Sequence, residues 1–176
     1  MAIQPRPIPS TRLALHPFLP EHADDIAEWI QDEQEAYWLA PRSRVPLNAR
    51  RVIEWGDAEG ERYVLQSGAG DVPLAYGEVN RLSRDPGTYW LGHLVVAPHA
   101  RGHGYGQQLT KLLLDRGFGR GARRITLVVF PDNELAIHAY ERAGLKRDGY
   151  ETHYFPIYRR NVRLIRMAMS RSTWEA

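Results

Sequence analysis

Three glycines fall within six residues in the stretch Arg101-Gly102-His103-Gly104-Tyr105-Gly106, directly after the apolar run 90–98 and directly before the Leu-rich segment 107–118. A helix start leaves its first backbone N–H groups unpaired and carries about half a positive charge, so anionic phosphates bind there. Glycine lets such an anion approach the backbone closely. The stretch is therefore a candidate phosphate cradle, although three glycines would also serve a plain tight turn.

Two familiar phosphate patterns do not fit. The P-loop pattern G-x-x-x-x-G-K-[ST] fails because Gly102 is followed five residues on by Gln107 and no Lys–Ser/Thr pair follows. The dinucleotide pattern G-x-G-x-x-G needs a glycine at 107 and an acid about twenty residues on, whereas Asp132 lies twenty-eight to thirty residues beyond Gly104 and Gly102. His99 and His103 stand at i, i+4, but Pro98 and the glycines oppose a helix there and no third ligand is apparent, so no metal site is expected.

The elements that must position this turn alternate along the chain. Segment 11–18 reads as a first strand. Segment 20–32 reads as a helix, with Pro20 near its start, acids in its first turn, and Ile26, Trp29 and Ile30 on one face. Residues 47–60 read as a second helix, with Val52, Ile53 and Trp55 turned inward. Strands over 62–67 and 74–82 flank the turn signal Gly-Ala-Gly-Asp, which marks a hairpin. A fourth strand over 88–96 feeds the glycine turn. Leu109, Leu112 and Leu113 recur at i, i+3 and i+4 and predict a helix from Gln107 to about residue 118. The β-branched run 124–130 predicts a buried strand, and 134–145 a helix closed at Gly144. Two more strands follow, giving a mixed α/β (α+β) sheet with helices on its faces.

In this setting the segment VAPHARGHGYG matches the pattern V-x-P-x-x-R-G-x-G-x-G at every position, and NELAIHAYERAGL at 133–145 matches N-x-x-A-x-x-x-Y-x-x-x-G-[FL]. With both motifs in order, the chain resembles the GNAT superfamily of acyl-CoA-dependent N-acetyltransferases over about residues 11–170. The resemblance implies a mixed sheet of about seven strands, splayed between strands four and five, with acetyl-CoA as co-substrate in the split. It implies that backbone amides of Arg101, Gly102, His103, Gly104, Tyr105, Gly106 and Gln107 hold the pyrophosphate. It further implies that Leu94, Val95 and Val96 pair by backbone with the pantetheine arm, that Asn133 binds the same arm, and that Tyr140 hydrogen-bonds or protonates the departing thiolate.

Attack of an amine on a thioester also needs a proton acceptor, since an alkylammonium has a pKa near 10.4. Glu78 and His93, on the third and fourth strands, are the two candidates. A surface carboxylate and an ordinary strand histidine are the plainer readings of the same residues. On the acceptor side, residues 21–35 carry seven carboxylates (Glu21, Asp24, Asp25, Glu28, Asp32, Glu33 and Glu35) with no Lys or Arg. Such a face suits a cationic acceptor such as an aminoglycoside, a polyamine or a small amine. The segments TRLALHPF and VRLIRMAM also resemble the branch that acetylates protein N-termini. A GNAT-like module that binds acyl-CoA without transferring it is the non-enzymatic alternative.

The whole composition sets the outer bounds. The chain has 176 residues, expected as one domain over 11–171 with a short extension at 1–10 and a tail at 172–176. A net charge of +2 gives no argument for nucleic acid, and the absence of cysteine excludes disulfides and thiolate chemistry. The proline-broken first twenty residues lack the apolar run of a signal peptide, and no stretch reaches eighteen apolar residues, so a cytoplasmic protein without a membrane partner is expected. The acceptor is expected to be a small-molecule or peptide amine, and a homodimer is compatible with these features.

Overall fold

The computed structural model describes residues 12–68 and 70–176, so the extension expected at 1–10 lies outside the described residues. The elements run β1 (Ala14–Pro17), α1 (Ala23–Glu28), α2 (Glu33–Leu39), α3 (Ala49–Ile53), β2 (Glu61–Gln66), β3 (Ala75–Arg81), β4 (Thr88–Val96), α4 (Tyr105–Gly119), β5 (Arg124–Val129), α5 (Glu134–Arg142), β6 (Lys146–Phe155), β7 (Arg160–Ser170) and α6 (Arg171–Trp174). The seven strands form one sheet in the order β1-β2-β3-β4-β5-β7-β6. Every neighbouring pair is antiparallel except β4 and β5, which are parallel.

Strand alternation sends side chains to two separate cores. On β2, Leu65 points to the face covered by α4 and α5, where Leu109, Leu113, Phe118 and Ile137 pack with Val79 and Ile125. Its neighbour Val64 points to the opposite face, against Ile26, Ala36 and Val52 from α1, α2 and α3. Helices thus cover both faces of the sheet, as expected.

The parallel pair β4–β5 is short. It joins Thr88 to Arg124, Tyr89 to Ile125 and Trp90 to Thr126, and the strands then part. Antiparallel pairing of β4 with β3 continues to Val96, but with a bulge: Tyr76 pairs with Val95 and Glu78 with Gly92, so one extra residue stands on β4. His93 sits in that bulge with φ 46, a left-handed conformation unusual for a residue with a Cβ. A bulge bends its strand and increases local twist, which carries the far half of β4 away from β5.

Several expected elements differ in detail. The helix expected over 20–32 is a 3-10 turn at 20–22 followed by the short α1, and a separate α2 begins at Glu33. Trp29 and Ile30 bond back three residues, to Ile26 and Ala27, which winds α1 to its end. Asp32 then takes an extended conformation and accepts the Glu35 N–H at 2.8 Å, capping α2. Ile53, expected inward, is 43% exposed, because α3 has five residues and turns Val52, with Ala49 beside it, to the core. α4 starts at Tyr105, two residues ahead of the expected Gln107, with Gly104 as its N-cap. Of the residues expected as a tail, 172–174 belong to α6, where Trp174 stacks on Phe118 at 5.1 Å and donates to Asp115 at 2.7 Å.

Leu113 lies fully buried at the contact of α4 with the sheet. Leu113→Ala removes that packing and leaves a void, so unfolding free energy in urea should fall by about 2–5 kcal/mol.

Candidate active site

The glycine stretch connects β4 to α4 through a 3-10 turn at Pro98–Ala100. Gly102 and Gly104 have φ near +80°, and a Cβ on either would meet no atom within 4 Å. Backbone conformation rather than crowding therefore demands glycine at both positions. In α4 the Gln108 N–H bonds to Gly104 O at 3.1 Å, while the amides of Tyr105, Gly106 and Gln107 precede the first intrahelical bond. These residues border an open cleft of about 1200 Å³.

The side chains of the loop build its shape. Arg101 donates to Val96 O at 3.1 Å and Trp29 O at 3.2 Å and pairs with Glu35. It thereby fastens the loop to the break between α1 and α2, a contact that nothing local in the sequence announces. His103 directs Nδ1 at Arg101 O at 2.9 Å and stacks on Tyr105. Gln107 donates to Arg142 O at the end of α5 at 3.1 Å. Asn133 caps α5, its Oδ1 accepting the Ala136 N–H at 3.3 Å. His99 is exposed, and among the described residues no three His, Cys, Asp or Glu side chains gather as metal ligands.

From the loop the cleft runs through the gap between β4 and β5. Leu94, Val95 and Val96 form one wall of the gap, and Val96 O is already engaged by Arg101. Tyr140, on α5, borders the same space with a half-buried ring packed against the α4–α5 core. Although the ring is only half-buried, its surroundings are dense enough that burial alone pushes the hydroxyl up to about 12.

At the other end, Glu78 and His93 meet. Glu78 is fully buried rather than a surface carboxylate. It accepts the Tyr76 hydroxyl at 2.7 Å and the Asn80 amide at 3.2 Å, and it lies 3.0 Å from His93 Nδ1. Residues 76, 78 and 80 share a sheet face by strand alternation, and the bulge brings His93 in from the neighbouring strand. Burial pushes the Glu78 carboxyl up, but the bonds from His93, Tyr76 and Asn80 outweigh it and hold the group below the ordinary 4.5. A carboxylate only accepts hydrogen bonds, so His93 Nδ1 carries a proton, which in the neutral form of an imidazole leaves Nε2 as the acceptor. The ring is fixed by flat stacking on Trp55 at 4.5 Å.

The acidic run is placed differently from the sequence expectation. Of its seven carboxylates, Glu35 borders the cleft, and it is paired with Arg101. The other acids of the cleft wall are Glu54, Asp57 and Glu151, none of which the sequence singled out.

The model of the family described as "Acetyltransferase (GNAT) family" matches residues 18–145. Mycothiol acetyltransferase of Paenarthrobacter aurescens (strain TC1) is 25% identical over 150 residues, covering 82% of this chain and 46% of that protein. The chain thus spans about half the length of the mycothiol acetyltransferases it matches. Spermidine N(1)-acetyltransferase of Escherichia coli (strain K12) is 26% identical over 170 residues, covering 93% of this chain and 84% of that protein. Among solved structures, aminoglycoside acetyltransferase AAC(6')-Ib in complex with coenzyme A superposes with a TM-score of 0.72 at 19% identity, covering 93% of this chain and 98% of that one. With the parted β4 and β5, the glycine turn ahead of α4 and a family match over most of its length, the chain belongs to the acetyltransferase (GNAT) family.

Proposed function

We propose that the protein transfers an acetyl group from acetyl-CoA to an amine, and that the acceptor is cationic. The observation that carries this reading is the opening of the sheet. β4 and β5 part after three residue pairs, and the gap leads from a glycine turn at a helix N-terminus to a histidine held by a buried carboxylate. Relatives named for spermidine and for aminoglycosides support an amine acceptor.

In this reading the amides of residues 102–107 hold the pyrophosphate, Arg101 N–H being bonded to Pro98 O at 3.4 Å, and the edge of β4 at Leu94–Val96, apart from the Val96 O that Arg101 holds, pairs with the pantetheine arm, together with Asn133. The cleft exceeds the roughly 300–1,000 Å³ of a drug-sized pocket, which supports two substrates at once. His93 Nε2 takes the proton of the incoming ammonium. Glu78 is a positioning residue, which fixes the imidazole tautomer and stabilises the imidazolium that forms. The amine nitrogen then attacks the thioester carbonyl carbon, the C–S bond breaks, and coenzyme A departs as a thiolate that takes up the second proton shed by the nitrogen, leaving as the free thiol. A thiol has a pKa near 8.5, so full proton transfer from a tyrosine at about 12 is uphill by roughly 5 kcal/mol. Tyr140 therefore acts by donating a hydrogen bond to the developing thiolate.

Three measurements test the assignment. Acetyl-CoA at a hundred times its dissociation constant should stabilise the protein by about 2.7 kcal/mol in thermal melting, whereas NAD should not; stabilisation by NAD alone would overturn the reading. Tyr140→Phe keeps the ring and removes the hydroxyl. It should lower kcat on the order of a hundredfold with acetyl-CoA affinity nearly unchanged. Glu78→Gln should lower kcat and also alter stability against acid. A carboxyl held below its ordinary value contributes stability that is present above about 4.5 and is lost as pH falls through the lower folded value. The Glu78→Gln variant should thus be less stable than wild type near neutral pH, and its urea midpoint should fall less on acidification.

A further inference from the structure

An acceptor amine must be held against His93 before it can give up its proton. The carboxylates of the cleft wall differ in what they have left to offer such a cation. Glu35 is paired with Arg101, Glu54 with Arg50 and Arg51, and Glu151 with His153 and Arg166. Glu78 is sealed beneath His93. Asp57 borders the same cleft and has no basic partner among the described residues.

Its position is built rather than incidental. Asp57 lies two residues after Trp55, whose indole stacks flat on His93. The Asp57 backbone N–H donates to Asn80 Oδ1 at 3.4 Å, and the amide nitrogen of the same Asn80 donates to Glu78 Oε2 at 3.2 Å. Asn80 is fully buried, and a Cβ on Gly60 would overlap its Oδ1, so glycine at 60 is what lets the amide reach beneath the loop. Gly60 N–H closes the loop onto Asp57 O at 2.9 Å. One buried amide thus sets the loop that carries Asp57 in register with the Glu78–His93 pair.

We propose that Asp57 is the residue that docks the acceptor's ammonium beside His93, so that the site selects amines arriving as cations over weakly basic amines arriving neutral. This rests on the acetyl-transfer reading above. A carboxylate beside the ammonium strengthens its binding but also favours its charged form, which opposes the proton loss that must follow. The contribution therefore appears in KM, and removing it does not lower kcat.

The test uses Asp57→Asn, which keeps the size of the side chain and removes its charge at an exposed position. Coenzyme A release near pH 7 is followed with 2-phenylethylamine, ethanolamine and spermidine as cationic probes and with aniline as a neutral one. In the variant, KM for the cationic probes that wild type accepts should rise about three- to fivefold, while kcat does not fall and the KM for acetyl-CoA is unchanged. Activity with aniline, where wild type shows any, should not change. An unchanged KM for the cations, or an equal rise for aniline, overturns the docking role and leaves the acetyl-transfer reading intact. A wild-type preference for aniline also overturns it. Wild-type protein that releases no coenzyme A with any of the probes overturns the acetyl-transfer reading, and the docking role with it.

Discussion

A carboxylate with no solvent exposure sits inside the sheet, and the arrangement of the cleft follows from satisfying it. An unpaired charge at Glu78 would cost several kcal/mol after relaxation. Tyr76 and Asn80 reach it from the same strand face, and the third contact comes from His93 on β4. Reaching Glu78 from β4 coincides with a bulge there, and the bulge coincides with the departure of β4 from β5. Fixing the charge, aiming the imidazole and opening the sheet are thus one local arrangement. Trp55 completes it by holding the ring flat from the α3 side.

The opening also separates two environments. Tyr140 belongs to the side of the sheet covered by α4 and α5, Trp55 and Tyr76 belong to the core under α1–α3, and Tyr105 of the glycine turn packs against both. A gap between two parallel strands connects those sides without a hole through packed side chains. Arg101 ties the two sides together, since it is part of the loop ahead of α4 and bonds to Trp29 and Glu35 beyond the α1 end.

Much of this was legible in the chain because it is written locally. The glycines at 102 and 104 mark a backbone that only glycine adopts easily, and the leucines at 109 and 113 mark a buried helix face. The strand runs appear at their expected places because β-branched and aromatic residues alternate along them. What stayed hidden is pairing across elements. Glu78 and His93 are fifteen residues apart on neighbouring strands, and no periodicity signals the bulge that joins them. The break between α1 and α2 did leave a signal. Asp32 followed three residues later by Glu35 is a helix-start signature, masked by the continuous acidity around it. Asp57 left none, because its meaning depends on which other acids already have partners.

The close fit of Asn80 beneath Gly60 bears on how this sequence can drift. Any side chain at 60 displaces the amide at 80, and any residue at 80 other than one with an amide leaves Glu78 short of a donor or the loop short of an acceptor. Neither position can change alone without disturbing the other. Among descendants of this chain the two should therefore be retained together or replaced together, and a lineage that has lost one of them will have rebuilt the 54–60 segment as a unit.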